Sequence, residues 1–262
     1  MAIQLNERDY LIFNLIEEHK VLLEKHISWF IASEAKPVLI RDRLRKLFYL
    51  DYLLSQKHNA KLPWWTTPTK PLVYLLAPIA KGLIDSKAKD NEEPVDLFDE
   101  VVQRHYLEIA NIRMLCLAAK GANEIESLHW TTCQSTAANK KTLDALITFR
   151  ATGQLHKVGI INHPNCEQYL ADDLAESLRL GEIDSVAIVS RDETHQEAIH
   201  KLLGAHKDQL DLNKIFLVTH HELYKSGIAH AHWCTANRQP THLISPAASS
   251  LPTTPEWRPA WS

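Results

Sequence analysis

Apolar residues recur at helical spacing through the first part of the chain. From Asn6 to Lys20 they follow a residue that can cap a first turn, and they predict a first helix. The amphipathic stretch from Val21 to Ala32 predicts a second helix. A third opens at Lys36-Pro37, because proline is tolerated at the first helical position, and it interleaves apolar with basic residues. Three short helices in this order are typical of a helix-turn-helix module.

The next segment has the pattern of short strands. Residues 62–78, LPWWTTPTKPLVYLLAP, are aromatic, β-branched and interrupted by prolines, which is typical of two strands joined by a turn. Such a hairpin after the third helix would be a wing, so we predict a winged-helix domain over residues 1–88. The pattern favours Trp64 and Trp65 as core residues, with stacking on bases as the alternative.

A charged segment separates this part from a long helix. Residues 86–94, SKAKDNEEP, lack apolar periodicity and indicate a linker. Apolar positions then return at three-and-four spacing, and they predict a helix over residues 95–121 that ends at Gly121. Residues 90–108 contain seven acids against Arg104 alone, which argues against contact with a phosphate backbone. We expect this helix to brace two domains or to pack a homodimer.

The second half of the chain alternates between strands and helices. Leu143 to Phe149 and Lys157 to Asn162 predict a hairpin that turns at Thr152-Gly153. A helix over 166–180, a strand over 185–190, a helix over 192–204 and a strand over 214–219 follow. A hairpin leading into β-α-β-α-β predicts a mixed sheet covered by helices, and hence an α/β domain over residues 122–245.

The end of the chain differs in composition. Residues 246–262 are rich in Ala, Ser, Thr and Pro, which predicts a flexible tail. Trp257 and Trp261 within it suit a peptide that docks on a protein partner, and a tail folded back on its own domain is the alternative.

Composition excludes several classes of protein. With 45% apolar and 23% charged residues, the chain can bury a core and is not wholly disordered. No apolar run approaches the roughly 18 to 20 residues that span a bilayer, and the start MAIQLNERDY lacks a basic and then apolar leader. We therefore expect a soluble cytoplasmic protein without membrane contact. Four widely spaced cysteines without a CxxC pair indicate neither a disulfide framework nor a zinc ribbon.

Motifs of cofactor chemistry are weak in this sequence. No GxGxxG, GxxxxGK[ST], HExxH or GxSxG string occurs, and seven glycines leave little loop material to cradle phosphates. Among the 15 histidines, His230 and His232 would share one face of a strand with Cys234, the geometry that three metal ligands need. No spaced Cys/His pair accompanies them, so we favour structural or surface histidines over a metal site.

Charge is segregated along the chain. Residues 1–88 carry 13 Lys and Arg against 9 Asp and Glu, whereas residues 89–262 carry 16 against 23. A basic front part followed by an acidic remainder suggests that the front part binds a polyanion, and double-stranded DNA is the expected partner. The candidate DNA-binding residues are Lys36, Arg41, Arg43, Arg45, Lys46, Lys57, Lys61 and Lys70. Arg41 and Arg45, four apart on the third helix, are expected to enter the major groove.

Several of these features resemble one known family. The chain is similar in four features to the replication-relaxation proteins of plasmids and mobile elements. These features are a basic third helix, a wing ending in Val73-Tyr74-Leu75, a short helix with Lys81-Gly82 and a long helix containing His105-Tyr106-Leu107. That family includes the MobC-type relaxases of mobilisable plasmids. The resemblance spans about residues 6–200 and implies a winged helix followed by a domain similar to the restriction-endonuclease fold.

The resemblance also implies where a catalytic site would lie. Active nucleases of this type carry two carboxylates that hold a divalent cation and a lysine that orients the attacking water. Asp144 stands at the position of the first carboxylate, but Asn162-His163-Pro164 stands where the (D/E)xK triplet would be. An amide is a weaker ligand than a carboxylate, and proline has no ammonium group. Glu167 could replace the missing carboxylate and His163 could act as a base or nucleophile, although loss of hydrolysis is the favoured interpretation.

Three hypotheses follow from these observations. The first is a sequence-specific DNA-binding protein of a plasmid or mobile element, acting in relaxosome assembly, replication initiation or regulation, with a degenerate nuclease-like domain and no cofactor. The second is an active nickase or relaxase that uses Asp144 with displaced partners and requires Mg²⁺ or Mn²⁺. The third is a winged-helix transcription regulator whose α/β domain senses a ligand or dimerises.

Overall fold

The fold is mixed α/β and contains two compact units. The computed structural model describes residues 4–32, 37–84, 96–133 and 143–244. The described residues up to Leu117 form the first unit, and those from Ala118 onward form the second. Among these described residues, no helix is long and apolar enough to cross a membrane.

Three helices open the first unit, as the apolar spacing predicts: α1 (Glu7–His19), α2 (Glu24–Ala32) and α3 (Pro37–Tyr49). A capping box begins α1. The Asn6 side chain accepts a hydrogen bond from the Asp9 backbone N–H at 3.2 Å, and the Asp9 carboxylate accepts one from the Asn6 N–H at 2.8 Å. Asp9 is fully buried, and a buried carboxylate needs hydrogen-bond partners to offset its loss of hydration.

The first unit also contains a small antiparallel sheet of β1 (Leu22–Leu23), β2 (Leu53–Lys57) and β3 (Leu72–Leu76), in the order β1-β3-β2. The predicted position of the hairpin is wrong in one strand, because β3 pairs with β2 and not with a strand inside residues 62–71. The predicted second helix is likewise shortened, since Leu22 and Leu23 pair with Tyr74 and Val73 before α2 begins. A short helix α4 (Pro78–Leu83) follows the sheet.

The core of the first unit decides which face of α3 is exposed. Ile40, Leu44 and Leu47 recur every three or four residues and are fully buried in one core that also contains Ile12 and Ile27. Burying each such side chain stabilises the fold by about 1.5 to 3 kcal/mol. The opposite face of α3 is therefore exposed, and it carries Arg45 and Lys46 together with Tyr49.

The long helix α5 (Glu100–Gly121) starts later than predicted. Residues 96–99 form a turn, and the Asp99 carboxylate accepts from the Val101 N–H at 2.6 Å, which caps the helix start. The predicted linker at residues 86–94 lies outside the described residues. Leu107, Ile112 and Leu115 are already buried within a single chain, so their number does not by itself require a dimer.

A seven-stranded mixed sheet forms the second unit. Its strands are β4 (Ser127–Thr132), β5 (Ala145–Ala151), β6 (Gln154–Asn162), β7 (Ser185–Ser190), β8 (Ile215–Thr219), β9 (Trp233–Thr235) and β10 (Pro240–Thr241). They lie in the order β10-β9-β8-β7-β6-β5-β4, and only the pairs β6–β7 and β7–β8 are parallel. Thr152 and Gly153 turn the β5–β6 hairpin with φ angles of 50° and 77°. The predicted hairpin leading into β-α-β-α-β is confirmed.

Three helices accompany this sheet: α6 (Gln168–Arg179), α7 (Glu193–Ala205) and α8 (His220–His230). Leu170 and Leu174 of α6 and Ile199 and Leu203 of α7 pack in one core with sheet residues such as Ile188. The structure adds β4, α8, β9 and β10 to the elements predicted from sequence. The predicted flexible tail at 246–262 lies outside the described residues.

Candidate functional site

The first candidate site is the charged face of α3. Arg41, Arg45 and Lys46 are exposed, because the buried residues of this helix occupy its other side. Arg41 and Arg45 lie one helical turn apart and so share a face. Lys36, also predicted to bind DNA, lies outside the described residues.

Arg43 differs from the other basic residues of α3. Its Nε donates to Asp9 Oδ1 at 2.6 Å, and its Nη2 bonds the other oxygen of the same carboxylate. The arginine side chain is 19% exposed and Asp9 is fully buried. These hydrogen bonds raise the pKa of Arg43 above its usual value. The pair links α3 to the first turn of α1, so the structure gives Arg43 a role in packing the helices.

Arg41 also pairs with a carboxylate, but at the surface. Its Nε lies 3.1 Å from both Oε1 and Oε2 of Glu24, and its Nη2 lies 2.9 Å from Oε1. The Arg41 side chain is 56% exposed and Glu24 is 19% exposed. Hydrogen bonding to Glu24 raises the pKa of Arg41. Glu24 opens α2, and nothing in the sequence pattern pointed to it as a partner of α3.

The second group of candidate residues surrounds the loop between β2 and β3. Lys57 ends β2, Lys61 lies in the loop and Lys70 precedes β3, and all three are exposed. Lys70 Nζ donates to Asn59 Oδ1 at 2.6 Å. Glu100, the first residue of α5, accepts from the Asn59 backbone N–H at 2.9 Å and from its side-chain amide at 2.6 Å. These bonds lower the pKa of Glu100, which favours its ionised form. A negatively charged carboxylate therefore lies at the base of this basic loop.

The two tryptophans of this loop are fixed in different ways. Trp64 is buried, in agreement with its predicted core position. Trp65 is half-buried, and its indole Nε1 donates to the Thr69 carbonyl at 2.7 Å within the loop. At the loop's base, the buried His58 Nδ1 lies 3.0 Å from the Gln103 side-chain oxygen. The loop is therefore held at its start by contacts to α5 that the sequence did not reveal.

In the second unit, the structure places Asp144 beside Asn162. Asp144 Oδ2 accepts a hydrogen bond from the Asn162 backbone N–H at 2.6 Å, and the adjacent pair Ala145 and Ile160 is in register between β5 and β6. The carboxylate expected to hold a cation thus bonds the backbone at the end of the neighbouring strand. Asn162 itself is buried.

Glu167 lies directly before α6. It is exposed and serves as the N-cap residue of α6 without a side-chain capping bond. Asp144, His163 and Glu167 do not form a group whose three ligand atoms lie within 4.8 Å of one another. Glu167, expected to replace the missing carboxylate, and His163, expected to act as a base or nucleophile, are thus not grouped with Asp144 as three ligands of one ion.

Histidines instead gather where the parallel strands β6, β7 and β8 end. The rings of His163 and His220 meet edge to face with centroids 4.6 Å apart, and the His195 ring lies 6.4 Å from His163. His220 Nε2 is 2.6 Å from the Tyr224 hydroxyl. The carboxyl ends of strands are where open α/β sheets bind ligands, so this edge is a second candidate site.

The hydrogen bonds of His195 define its protonation. Its Nδ1 accepts from the Arg191 backbone N–H at 3.1 Å, so its Nε2 carries the proton and donates to the Pro164 carbonyl at 2.9 Å. Burial lowers the pKa of His195, which favours this neutral form. Imidazole nitrogens suit zinc, copper or nickel, whereas Mg²⁺ prefers oxygen ligands. The chemistry of this edge therefore differs from that of a two-carboxylate nuclease site.

The predicted common face of His230, His232 and Cys234 is wrong. His230 ends α8 and β9 begins only at Trp233, so the three residues do not share a strand. His230 Nε2 lies 2.6 Å from Glu124 Oε1, and His232 Nδ1 lies 2.7 Å from Glu222 Oε1. Cys234 Sγ lies 3.6 Å from His200 Nε2. Each residue has a separate partner, and the three do not form one metal site.

Comparison with models of known protein families and with curated protein sequences finds no match for this chain.

Proposed function

We propose that the protein binds double-stranded DNA through its first unit, with α3 in the major groove and the β2–β3 hairpin as a wing. The observation that supports this proposal most is the element order α1-β1-α2-α3-β2-β3, with the sheet order β1-β3-β2. Winged-helix domains have the same element order, which supports the proposal. The exposed Arg41, Arg45 and Lys46 lie on the helix that such a domain inserts into the groove.

The charges divide into two roles under this proposal. An α-helix fits the major groove of B-DNA, where arginine can reach base edges. Lys57, Lys61 and Lys70 lie on or beside the hairpin, at positions suited to phosphate contacts, which supply affinity without sequence preference. Arg43 is left out of the DNA interface, because its guanidinium bonds the buried Asp9.

For the second unit we propose a nuclease-like domain that has lost hydrolysis. Support comes from the bond between Asp144 and the Asn162 backbone and from the amide and proline at the positions of the second carboxylate and the lysine. Cleavage of a phosphodiester in this class depends on a cation held by converging carboxylates. The resemblance to plasmid and mobile-element proteins suggests relaxosome assembly, replication initiation or regulation as the setting. Active nicking with Mg²⁺ or Mn²⁺ is the rival outcome.

A salt titration tests DNA binding. Fluorescence anisotropy with a labelled duplex, repeated between about 50 and 200 mM salt, gives the number of phosphates neutralised. We expect the double variant Arg45→Ala/Lys46→Ala to weaken binding and to reduce the salt slope by about one to two units. Arg179→Ala on α6, a 70% exposed arginine of the second unit, is the matched control and should bind as the unchanged protein does. Equal slopes for all three proteins would refute the assignment of α3.

A nicking assay separates the two roles of the second unit. Supercoiled plasmid incubated with the protein and Mg²⁺ or Mn²⁺ should remain supercoiled while it is bound. Site-specific nicking that Asp144→Asn abolishes would replace the binding proposal for this unit by the nickase.

A further inference from the structure

Glu24 engages one edge of the Arg41 guanidinium and leaves the other to solvent. The carboxylate bonds Nε and Nη2, at 3.1 and 2.9 Å. A guanidinium has a second donor edge formed by Nη1 and the remaining hydrogen of Nη2. The Glu24 contacts leave that end-on edge available, on a side chain that is 56% exposed.

The end-on edge of an arginine has a specific match in DNA. Guanine presents two acceptors, O6 and N7, side by side in the major groove, and a bidentate arginine is their commonest partner. We propose that Arg41 reads a guanine in the major groove and that Glu24 is a positioning residue that holds the guanidinium for this contact. The inference rests on the proposed DNA-binding function and names the base that it recognises.

Positioning matters because an arginine side chain is flexible. An exposed arginine loses rotamer freedom when it docks on a base, and a planar guanidinium already held by a carboxylate loses less. Arg45 lies one turn further along α3, is exposed, and forms no ion pair with the described residues. Arg45 is therefore suited to a phosphate, which accepts many orientations, and Arg41 is suited to a base, which accepts few.

The carboxylate also opposes indiscriminate binding. A negative charge on α2 beside the groove repels DNA phosphates, so Glu24 lowers affinity for every sequence while it improves the choice among them. Replacing it by glutamine removes the charge and weakens the hold on Arg41. The change should leave the fold intact, because an ion pair whose arginine is 56% exposed contributes little to stability.

The experiment selects duplexes from a randomised library and then alters one atom of the selected guanine. Affinity is measured for a selected duplex, for the same duplex with 7-deazaguanine at the chosen position, and for an unrelated duplex. The loss of N7 removes one acceptor and leaves Watson–Crick pairing in place. The proteins compared are the unchanged chain, Arg41→Ala, Glu24→Gln and the control Glu17→Gln on α1, whose carboxylate pairs at 3.1 Å with Lys20, the residue after the helix.

We expect the unchanged protein and Glu17→Gln to lose about ten-fold in affinity with 7-deazaguanine. Arg41→Ala should be insensitive to that substitution. Glu24→Gln should show a several-fold smaller loss, together with equal or tighter binding to the unrelated duplex. A purely structural role for Glu24 would instead weaken binding to all duplexes alike and leave the response to 7-deazaguanine unchanged, which would overturn the inference.

Failure of the inference is distinguishable from failure of the proposed function. If the protein binds duplex DNA but selects no guanine, or if Arg41→Ala keeps the same preference, the reading of guanine by Arg41 is refuted while DNA binding stands. If no duplex is bound at moderate salt, the proposed function is refuted and the inference falls with it.

Discussion

Arg43→Ala should lower the free energy of unfolding of the first unit far more than alanine at any of the other basic residues of α3, Arg41, Arg45 and Lys46. Asp9 is fully buried, and its partner Arg43 is 19% exposed. Removing one member of a buried ion pair costs about 3 to 5 kcal/mol, because the remaining charge has lost its partner. The Asn6 N–H still donates to Asp9 at 2.8 Å in the variant, so we place the loss near the lower end, at about 3 kcal/mol. Domains of this size are stable by only about 5 to 15 kcal/mol.

The same helix supplies a matched comparison. Arg41 and Glu24 also form a two-donor pair, but Arg41 is 56% exposed. Pairs at such exposure contribute about 0.2 to 1 kcal/mol. A double-mutant cycle on Asp9→Asn and Arg43→Ala should therefore give a larger coupling energy than one on Glu24→Gln and Arg41→Ala.

Amide hydrogen exchange in α1 and α3 across a urea series measures these energies for the first unit separately from the second. Arg45→Ala serves as the control and should change the unfolding free energy by less than about 0.5 kcal/mol. Under conditions where Arg43→Ala remains folded, its affinity for DNA should equal that of the unchanged protein. Equal coupling energies for the two cycles would show that burial of Asp9 does not govern the contribution of Arg43.

Three further predictions follow from burial and pKa. Burial lowers the pKa of His26 to about 3, so the folded protein holds the neutral imidazole. Below the ordinary histidine pKa of about 6.5 only the unfolded chain binds the proton, so the free energy of unfolding should fall by about 1.4 kcal/mol per pH unit as the pH drops toward 3. Urea titrations at several pH values measure this slope, which His26→Gln should flatten; equal slopes in both proteins would contradict it. Burial raises the pKa of the Cys116 thiol to about 12, so iodoacetamide should label the exposed Cys166 first and Cys116 only after denaturation. Mass spectrometry measures the order of labelling, and early labelling of Cys116 would contradict its burial. Asp144→Asn should leave DNA affinity unchanged, since its carboxylate bonds the chain's own backbone; a tenfold weaker affinity by anisotropy would place Asp144 at the DNA.

Local patterns predicted most helices and the central strands correctly. Helical spacing located α1 and α3, and apolar runs bounded by turn residues located the strands from β5 to β8. Those signals are local, because a side chain's burial repeats with the period of its own helix or strand. Short elements escaped, since two apolar residues such as Leu22 and Leu23 fit a helix face and a strand equally well.

The sequence did not determine which strands pair with one another or which charged side chains form ion pairs. Apolar alternation marks Leu72 to Leu76 as a strand, but the partner Leu53–Lys57 is chosen by packing across the unit and not by the nearest apolar segment. The same holds for charge. Arg41, Arg43 and Arg45 look alike in the sequence. In the structure Arg41 pairs with a carboxylate at the surface, Arg43 pairs with a buried carboxylate, and Arg45 is exposed to solvent.

The sequence by itself determined the basic front part, the positions of the main helices and strands, and the absence of a second carboxylate and a lysine at the expected nuclease positions. Only the tertiary structure decided that Asp9 takes Arg43 out of the exposed face, that Glu24 holds Arg41, and that His163 and His220 meet where parallel strands end. The physical reason is that composition and periodicity report the environment of each residue averaged over its neighbours in the chain. Which two side chains meet depends on contacts between residues far apart in sequence, such as the 34 positions that separate Asp9 from Arg43.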